Sequence, residues 1–414
     1  MFSQVFGDPN DTSNEANIIS ALEFSPNGEY LASGDHGGSI SIYKRKETQT
    51  KSSVRDTERA KTPWELYCNF QSHDQEFDYL KSLEIEEKIN QIEWNRPIGD
   101  NSFLLSTNDK TIKLWKVSRR VQRGSNPPRP PPIRDGILTL PHGTLPESTV
   151  VATPKRCYSN AHAYHINSIS CNSDGETFLS ADDLRINWWN TEINTSCFNI
   201  VDIKPPNMEE LTEVITSAQF HPQHCNIIMY SSSRGSIKLG DTRKSALCDV
   251  CAKVLEEPED ASTKSFFSEI VASISDASFA GDGRYIVSRD YLTLKVWDTH
   301  MESRPIKIIN INESLRSMLC ELYESDFIFD KFEIALSPNG DRILTGGYGN
   351  RFSVWNENGQ SEHSIDLQTH TRGRQTQGHS AEFEKKVLHC AWNHGYNSND
   401  TIAVGAQAAL YLYR

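Results

Sequence analysis

Short runs in which apolar and polar residues alternate fill most of this chain, and they come in sets of three. A period of two is the mark of a half-buried β-strand. Within each set the first run ends at a turn built on Asn, Asp or Gly. The second ends near a Ser, and the third ends on an aromatic residue. Seven such sets follow one another: Ile19–Lys44, Ile89–Lys116, Ile166–Asn190, Ile215–Asp241, Ile274–Asp298, Phe332–Asn356 and Leu388–Arg414. The turns SPNGEY, NSDGET, AGDGRY and SPNGDR carry the Asn-Gly or Asp-Gly pair that accepts a positive φ. Each set therefore predicts three antiparallel strands.

The third runs close on Trp115, Trp189, Trp297 and Trp355, with Tyr43 and Tyr413 in the same place, and the fifth copy reads Trp297-Asp298. Serial copies with this ending are the WD-repeat signature, so the predicted fold is all-β, a seven-bladed WD-repeat β-propeller over residues 1–414. The aromatics are expected to pack between blades, since stacked repeats bury their faces on one another. Gly240 replaces Trp in the fourth copy, which predicts a different packing there. The seventh copy stops at its third strand. FSQVF, within residues 1–7, can supply the missing outer strand and close the ring. Asp109 and Asp183 each stand six residues before a Trp. Asp109 is expected to tie its turn, while the doubled acid Asp182-Asp183 leaves one carboxylate free.

The blades leave five insertions, and loops on a rigid scaffold usually carry function. Arg45–Lys88 begins polar and becomes acidic and aromatic, with Glu76, Asp78, Glu84, Glu86 and Glu87. Ser118–Ala163 has five prolines at 127–132, then ILTLPHG and TVVATPKRCYS, which predicts a projecting hairpin made of those two runs. In Thr191–Val214 the spacing of Met208, Leu211 and Val214 predicts one face of a short helix after Pro206. Thr242–Ala272 places Phe266 and Phe267 side by side in a polar, acidic loop. Thr299–Lys331 has a helical rhythm in Leu315, Met318, Leu319 and Leu322.

Charge narrows the partners. The chain has 42 Lys and Arg against 55 Asp and Glu, a net −13. That bias disfavours nucleic acid and favours basic protein partners. No apolar run is long enough to span a bilayer, and the first residues do not read as a signal peptide. Nine scattered cysteines suit a reducing compartment, cytosolic and also nuclear. Candidate chemistry is sparse. Cys248 and Cys251 form a lone CxxC, His221 and His224 lack further ligands nearby, and no nucleophile–base motif is present. The innermost runs show no convergence of carboxylates of the kind a propeller enzyme needs. No cofactor is expected.

The blades and insertions together resemble the B-type regulatory subunits of serine/threonine protein phosphatase 2A. The resemblance rests on FQSHDQEFDYLKSLEIEEKIN (Phe70–Asn90), AHAYHINSIS (Ala161–Ser170), FNIVDIKPPNMEELTEVIT (Phe198–Thr216), SFFSEI (Ser265–Ile270), SRDYLTLKVWD (Ser288–Asp298) and DFIFDKFE (Asp326–Glu333). It implies a non-catalytic subunit of a three-part phosphatase. A hairpin handle, Arg134–Ser159, would grip an α-solenoid scaffold through Arg134, Ile137, Leu138, Leu140, Val151, Pro154, Lys155 and Arg156. The catalytic subunit would face the top of the propeller. Phosphoprotein substrates with basic flanks would meet Glu15, Glu86, Lys88, Tyr164, His165, Asp183, Met208, Glu209, Leu211, Val214, Phe266, Phe267, Tyr323, Glu324 and Lys331. His36 sits where relatives carry Lys, so a basic contact there would depend on pH. A competing reading is another propeller adaptor, such as the substrate receptor of a ubiquitin ligase.

Overall fold

The structure is a computed structural model. It describes residues 1–9, 14–46, 63–79, 82–99, 101–121, 133–134, 137–138, 148–245, 247–248, 253–258, 265–356, 358–367, 383–395 and 400–414, with the backbone alone at 121, 133–134, 137–138 and 148. Seven four-stranded antiparallel sheets are present, each a blade, and the innermost strands of consecutive blades are neighbours. Blade 7 is next to blade 1, so the ring is closed. The chain is a seven-bladed β-propeller.

Alternation explains where the core lies. Each strand turns one set of side chains to each neighbouring blade, so apolar clusters form between blades. Ala21, Ile40, Trp94 and Trp115 join blades 1 and 2. Leu179, Ile186, Phe220 and Tyr230 join blades 3 and 4. The repeat tryptophans are part of this packing, with Trp189 and Trp297 almost fully buried. Their indole N–H groups donate to Ser180 and Ser288, both at 2.9 Å. In blade 3 this leaves the Ser180 hydroxyl to donate to His162 Nε2 (2.6 Å), and His162 Nδ1–H to donate to Asp182 (2.9 Å). Asp182 also accepts the backbone N–H groups of Leu184 and Arg185. One buried chain of hydrogen bonds thus ties a turn to a blade core.

Gly240 shows how the fourth blade does without its tryptophan. Cys248 is buried over it, and a Cβ at 240 would fall about 3 Å from both Cys248 and Ile228. Cys248 is therefore packing material; Cys251 lies outside the described residues. His221, the other ligand-like residue, accepts the N–H groups of Gln223 and His224 on Nδ1 and caps its own turn.

The segment Phe2–Phe6 pairs antiparallel with Ala409–Tyr413 and forms the outer strand of blade 7. Phe2 packs edge-on to Tyr413, and Phe6 lies 4.3 Å from the Tyr43 ring of blade 1. Deleting residues 1–7 removes both aromatic contacts and bares a strand edge. The truncated protein is expected to melt well below the full chain in a thermal scan; an equal midpoint would show that this strand does not hold the ring.

Three expectations change. The run TVVATPKRCY does not pair with Ile137–Leu138, the described half of ILTL. Residues Ser148–Tyr158 pair with Ile112–Val121 as the fourth strand of blade 2, extended beyond the blade. Ile137–Leu138 pairs instead with Ile133–Arg134 in a separate two-stranded piece. The alternating pattern was right, but a period of two cannot name a strand's partner. The segment after Pro206 is a single 3-10 turn, Met208–Glu210, capped by Asn207, so Met208, Leu211 and Val214 do not share a helix face. Phe266 and Phe267 do not lie in a loop: they open helix α1 (Phe266–Ala272). The rhythm at 315–322 forms a 3-10 turn, Glu313–Met318, and helix α2 (Leu319–Glu324), with Leu322 buried.

Candidate functional site: the mouth of the central channel

Chain direction sorts the loops. Each innermost strand runs away from one end of the propeller, called the top. The top therefore collects the turns between second and third strands and the links from each outer strand to the next blade. The insertion between Val121 and Ser148 joins third to fourth strand, so it leaves from the bottom. The expected substrate residues and the expected handle are thus carried on opposite faces.

A channel of about 750 Å³ runs inside the ring. Its wall is built by acceptor side chains that reach the next blade's N–H groups. Gln91 accepts Ile169 N–H (2.7 Å), Ser168 accepts Ala218 N–H (3.0 Å), Gln219 accepts Phe279 N–H (3.0 Å) and Asp276 accepts Ile334 N–H (2.9 Å). These bonds satisfy strand edges that would otherwise be bare. Carboxylates do converge here, contrary to the expectation from the sequence: Glu23, Glu93, Asp276 and Glu333 all line the channel. Glu93 accepts Cys171 N–H, and Glu333 pairs with His389 at 2.9 Å. Burial pushes the Asp276 carboxyl up to about 7, with Glu333 adding to the shift. Burial raises Glu23 and Glu93 as well, and Glu93 further raises Glu23. Glu93, Asp276 and Glu333 are thus engaged in holding the wall together. Among the described residues no group of three His, Cys, Asp or Glu side chains is arranged to hold a metal.

At the mouth three of the second-to-third-strand turns follow one rule. A side chain just after the second strand caps the turn: Asp182 in blade 3, Asp290 in blade 5 and Asn108 in blade 2, which accepts the N–H groups of Lys110 and Thr111. The tie is therefore seven residues before the Trp, not six. Asp109 is the counterpart of Asp183, and its expected role as the turn-tying residue passes to Asn108. Both aspartates line the channel mouth. Asp109 pairs with exposed His165 at 2.9 Å and accepts the Asn90 amide. Asp183 is half-buried, and burial raises its carboxyl above the usual value while Lys331 pulls it back down. His36 occupies the same ring position in blade 1. Burial, then Lys88 and His389, lower its imidazole to about 4, so it is neutral near pH 7 and offers no basic contact.

Around this rim the expected residues divide. Lys88, His165, Asp183 and Lys331 line the channel. Glu15, Glu86 and Glu209 are exposed on neighbouring top loops, as is Met208, while Tyr164, Leu211 and Val214 are half-buried. Over the blade 5–6 link an aromatic cluster stands clear of the ring. Phe266 is 69% exposed, with Tyr323 at 5.6 Å and Phe267 at 5.2 Å; Phe329 joins Tyr323 at 5.9 Å. Glu324 is exposed beside it. Phe329 escaped the sequence reading because its run, DFIFDKF, has no clean period; only its exposure (55%) separates it from buried Ile328. Pro154 and Lys155 are exposed along the outer strand of blade 2, Val151 is half-buried, and Arg156 pairs with Glu192. Arg134, Ile137 and Leu138 are placed by backbone only, in the small hairpin, and Leu140 lies outside the described residues.

Comparison with known proteins agrees with this architecture. The model of the WD domain, G-beta repeat, matches residues 9–44 and 153–190. The serine/threonine-protein phosphatase 2A regulatory subunit phr2AB of Dictyostelium discoideum is 47% identical over the whole of this chain and 97% of its own length. The regulatory subunit sur-6 of Caenorhabditis elegans is also 47% identical, over the whole chain and 89% of its own length. The B beta isoform of the 55 kDa regulatory subunit from Arabidopsis thaliana is 45% identical, over the whole chain and 96% of its length. Identity of this order over the whole chain places it in the family of 55 kDa B-type regulatory subunits of serine/threonine protein phosphatase 2A, as a regulator and not a catalyst.

Proposed function

We propose that this chain recruits phosphoprotein substrates at the top of the propeller and that the extended strand pair and hairpin at the bottom of blade 2 hold it on an α-solenoid scaffold. The catalytic subunit would act on substrates presented at the top. The observation that carries the reading is the pairing, at one channel mouth, of an acidic rim with an exposed aromatic cluster. Asp183, Glu15, Glu86 and Glu209 supply negative charge, and Phe266, Tyr323 and Phe329 supply apolar area. A segment with basic residues beside a phosphosite and apolar residues at its end fits both halves. Aromatic anchors give affinity and charge complementarity gives selection and speed.

The test uses the reconstituted heterotrimer and a fluorescent phosphothreonine peptide flanked by lysines and leucines. Phe329→Ala and Phe266→Ala are each expected to weaken its binding roughly 5- to 30-fold, the range of a truncated anchor. Unchanged affinity in both variants would remove the cluster from the site.

A further inference from the structure

The segment that carries Phe329 and Lys331 is short, irregular and partly exposed, yet it is bolted in place from outside. It turns at Asp326, whose φ is +61°, and runs through one 3-10 turn, Phe327–Phe329, to Asp330. Two other elements grip it. Tyr348, on the turn between second and third strands of blade 6, donates its hydroxyl to the Phe327 carbonyl (2.8 Å) and lies 3.1 Å from the Asp330 carboxylate. Tyr291, on the equivalent turn of blade 5, meets the Tyr348 hydroxyl at 2.9 Å. Lys386, from the blade 6–7 link, pairs with the other Asp330 oxygen and sits 5.4 Å over the Phe327 ring. Tyr348 and Lys386 are themselves joined by an antiparallel backbone bridge. Burial raises the Tyr348 phenol further above its ordinary value, and Tyr291 adds to the shift, so the group acts as a neutral donor.

We propose that Tyr348 and Lys386, acting on Asp330 and the Phe327 carbonyl, form a positioning clamp that sets where Phe329 and Lys331 stand at the channel mouth and so sets substrate affinity. The inference rests on the reading of the mouth as the recruiting site. Neither Tyr348 nor Lys386 lines the channel, whereas Phe329, Asp330 and Lys331 do. The clamp residues thus act through the segment and not on the substrate. Without the clamp the 3-10 turn keeps the apolar anchors of buried Ile328 and of Phe327 against Phe383 but loses the polar ties that fix Asp330. A segment with fewer ties opens locally at lower cost, and each recruited substrate must then order it again.

The experiment uses the heterotrimer and the same lysine- and leucine-flanked phosphothreonine peptide. Tyr348→Phe is expected to weaken peptide binding roughly 3- to 10-fold, the worth of a hydrogen bond to a charged or carbonyl acceptor. Amide exchange should quicken across 326–331 and nowhere else, with the melting midpoint within about 1 °C of the parent. In a Phe329→Ala background Tyr348→Phe should lose much of its effect, because the clamp works in large part through that ring. Lys386→Met is expected to copy Tyr348→Phe, and it carries the test if the tyrosine variant folds poorly. Full additivity with Phe329→Ala, or unchanged affinity in both clamp variants, overturns the clamp. If Phe329→Ala itself leaves binding intact, it is the recruiting site that fails, and the two failures are told apart.

Discussion

Replacing residues 122–147 with a short Gly/Ser turn is expected to leave the propeller folded and to abolish co-purification with an α-solenoid scaffold subunit, whereas replacing Arg134–Ser159 is expected to unfold blade 2. The two excisions differ in one respect. The second removes Ser148–Tyr158, which pairs along its whole length with Ile112–Val121. With that strand go Tyr158, buried against Phe178 and Trp189, and its hydroxyl bond to the Thr191 carbonyl (2.7 Å). Removing one large buried aromatic costs about 3–5 kcal/mol, and a ladder of strand bonds is lost besides. The first excision spares every residue of that ladder. Thermal melting and a scaffold pull-down read both variants. Normal scaffold capture by the 122–147 replacement would overturn the assignment of the handle, and a normal melting curve for the longer excision would overturn the role of the strand.

That contrast also marks how much of the molecule is legible in its sequence. Blade count, the aromatic positions and the strand runs were legible because a period of two and an Asn-Gly or Asp-Gly turn are local properties. The partner of TVVATPKRCY was not, since pairing is decided by the chain's path. The same limit applies to Asp109: spacing from Trp115 located the turn within one residue, but only the bonds to Lys110 and Thr111 identify Asn108 as its cap. Acidic loops and the Phe266-Phe267 pair marked candidate binding loops, and only the family resemblance put them on one face. The joining of those loops to Tyr323 and Phe329 is a product of how two inter-blade links fold over one another, and no short-range pattern encodes it. The channel carboxylates were missed for a similar reason: each is one polar residue in or just before an ordinary strand, and their convergence exists only once seven innermost strands surround one axis.

Asp182 and Asp183 are adjacent, and they are expected to respond oppositely to substitution. Asp182 is buried, bonded to His162 and to two backbone N–H groups. Its carboxyl lies below the ordinary 3.8 because those bonds outweigh burial, the largest single influence, which acts in the opposite direction. A depressed folded value means stability that is present above the ordinary pKa and lost as pH falls through the folded one. Asp182→Ala strands His162 and the turn, and is expected to cost about 3 kcal/mol, the low end for breaking a buried pair. Asp183 has the reverse sign. Burial raises its carboxyl, so its ionised form is disfavoured in the folded state, and Asp183→Asn should leave stability at neutral pH unchanged or slightly higher. Asp183→Lys puts a second cation near Lys331 at the channel mouth. It is expected to fold, to assemble with scaffold and catalytic subunits, and to bind the lysine-flanked phosphothreonine peptide at least ~10-fold more weakly at low salt, with the gap narrowing as salt rises. Melting curves and peptide titrations at two ionic strengths measure both residues. A collapse of stability in Asp183→Lys would make that residue structural like its neighbour, and undiminished peptide binding would take it out of the recruiting rim.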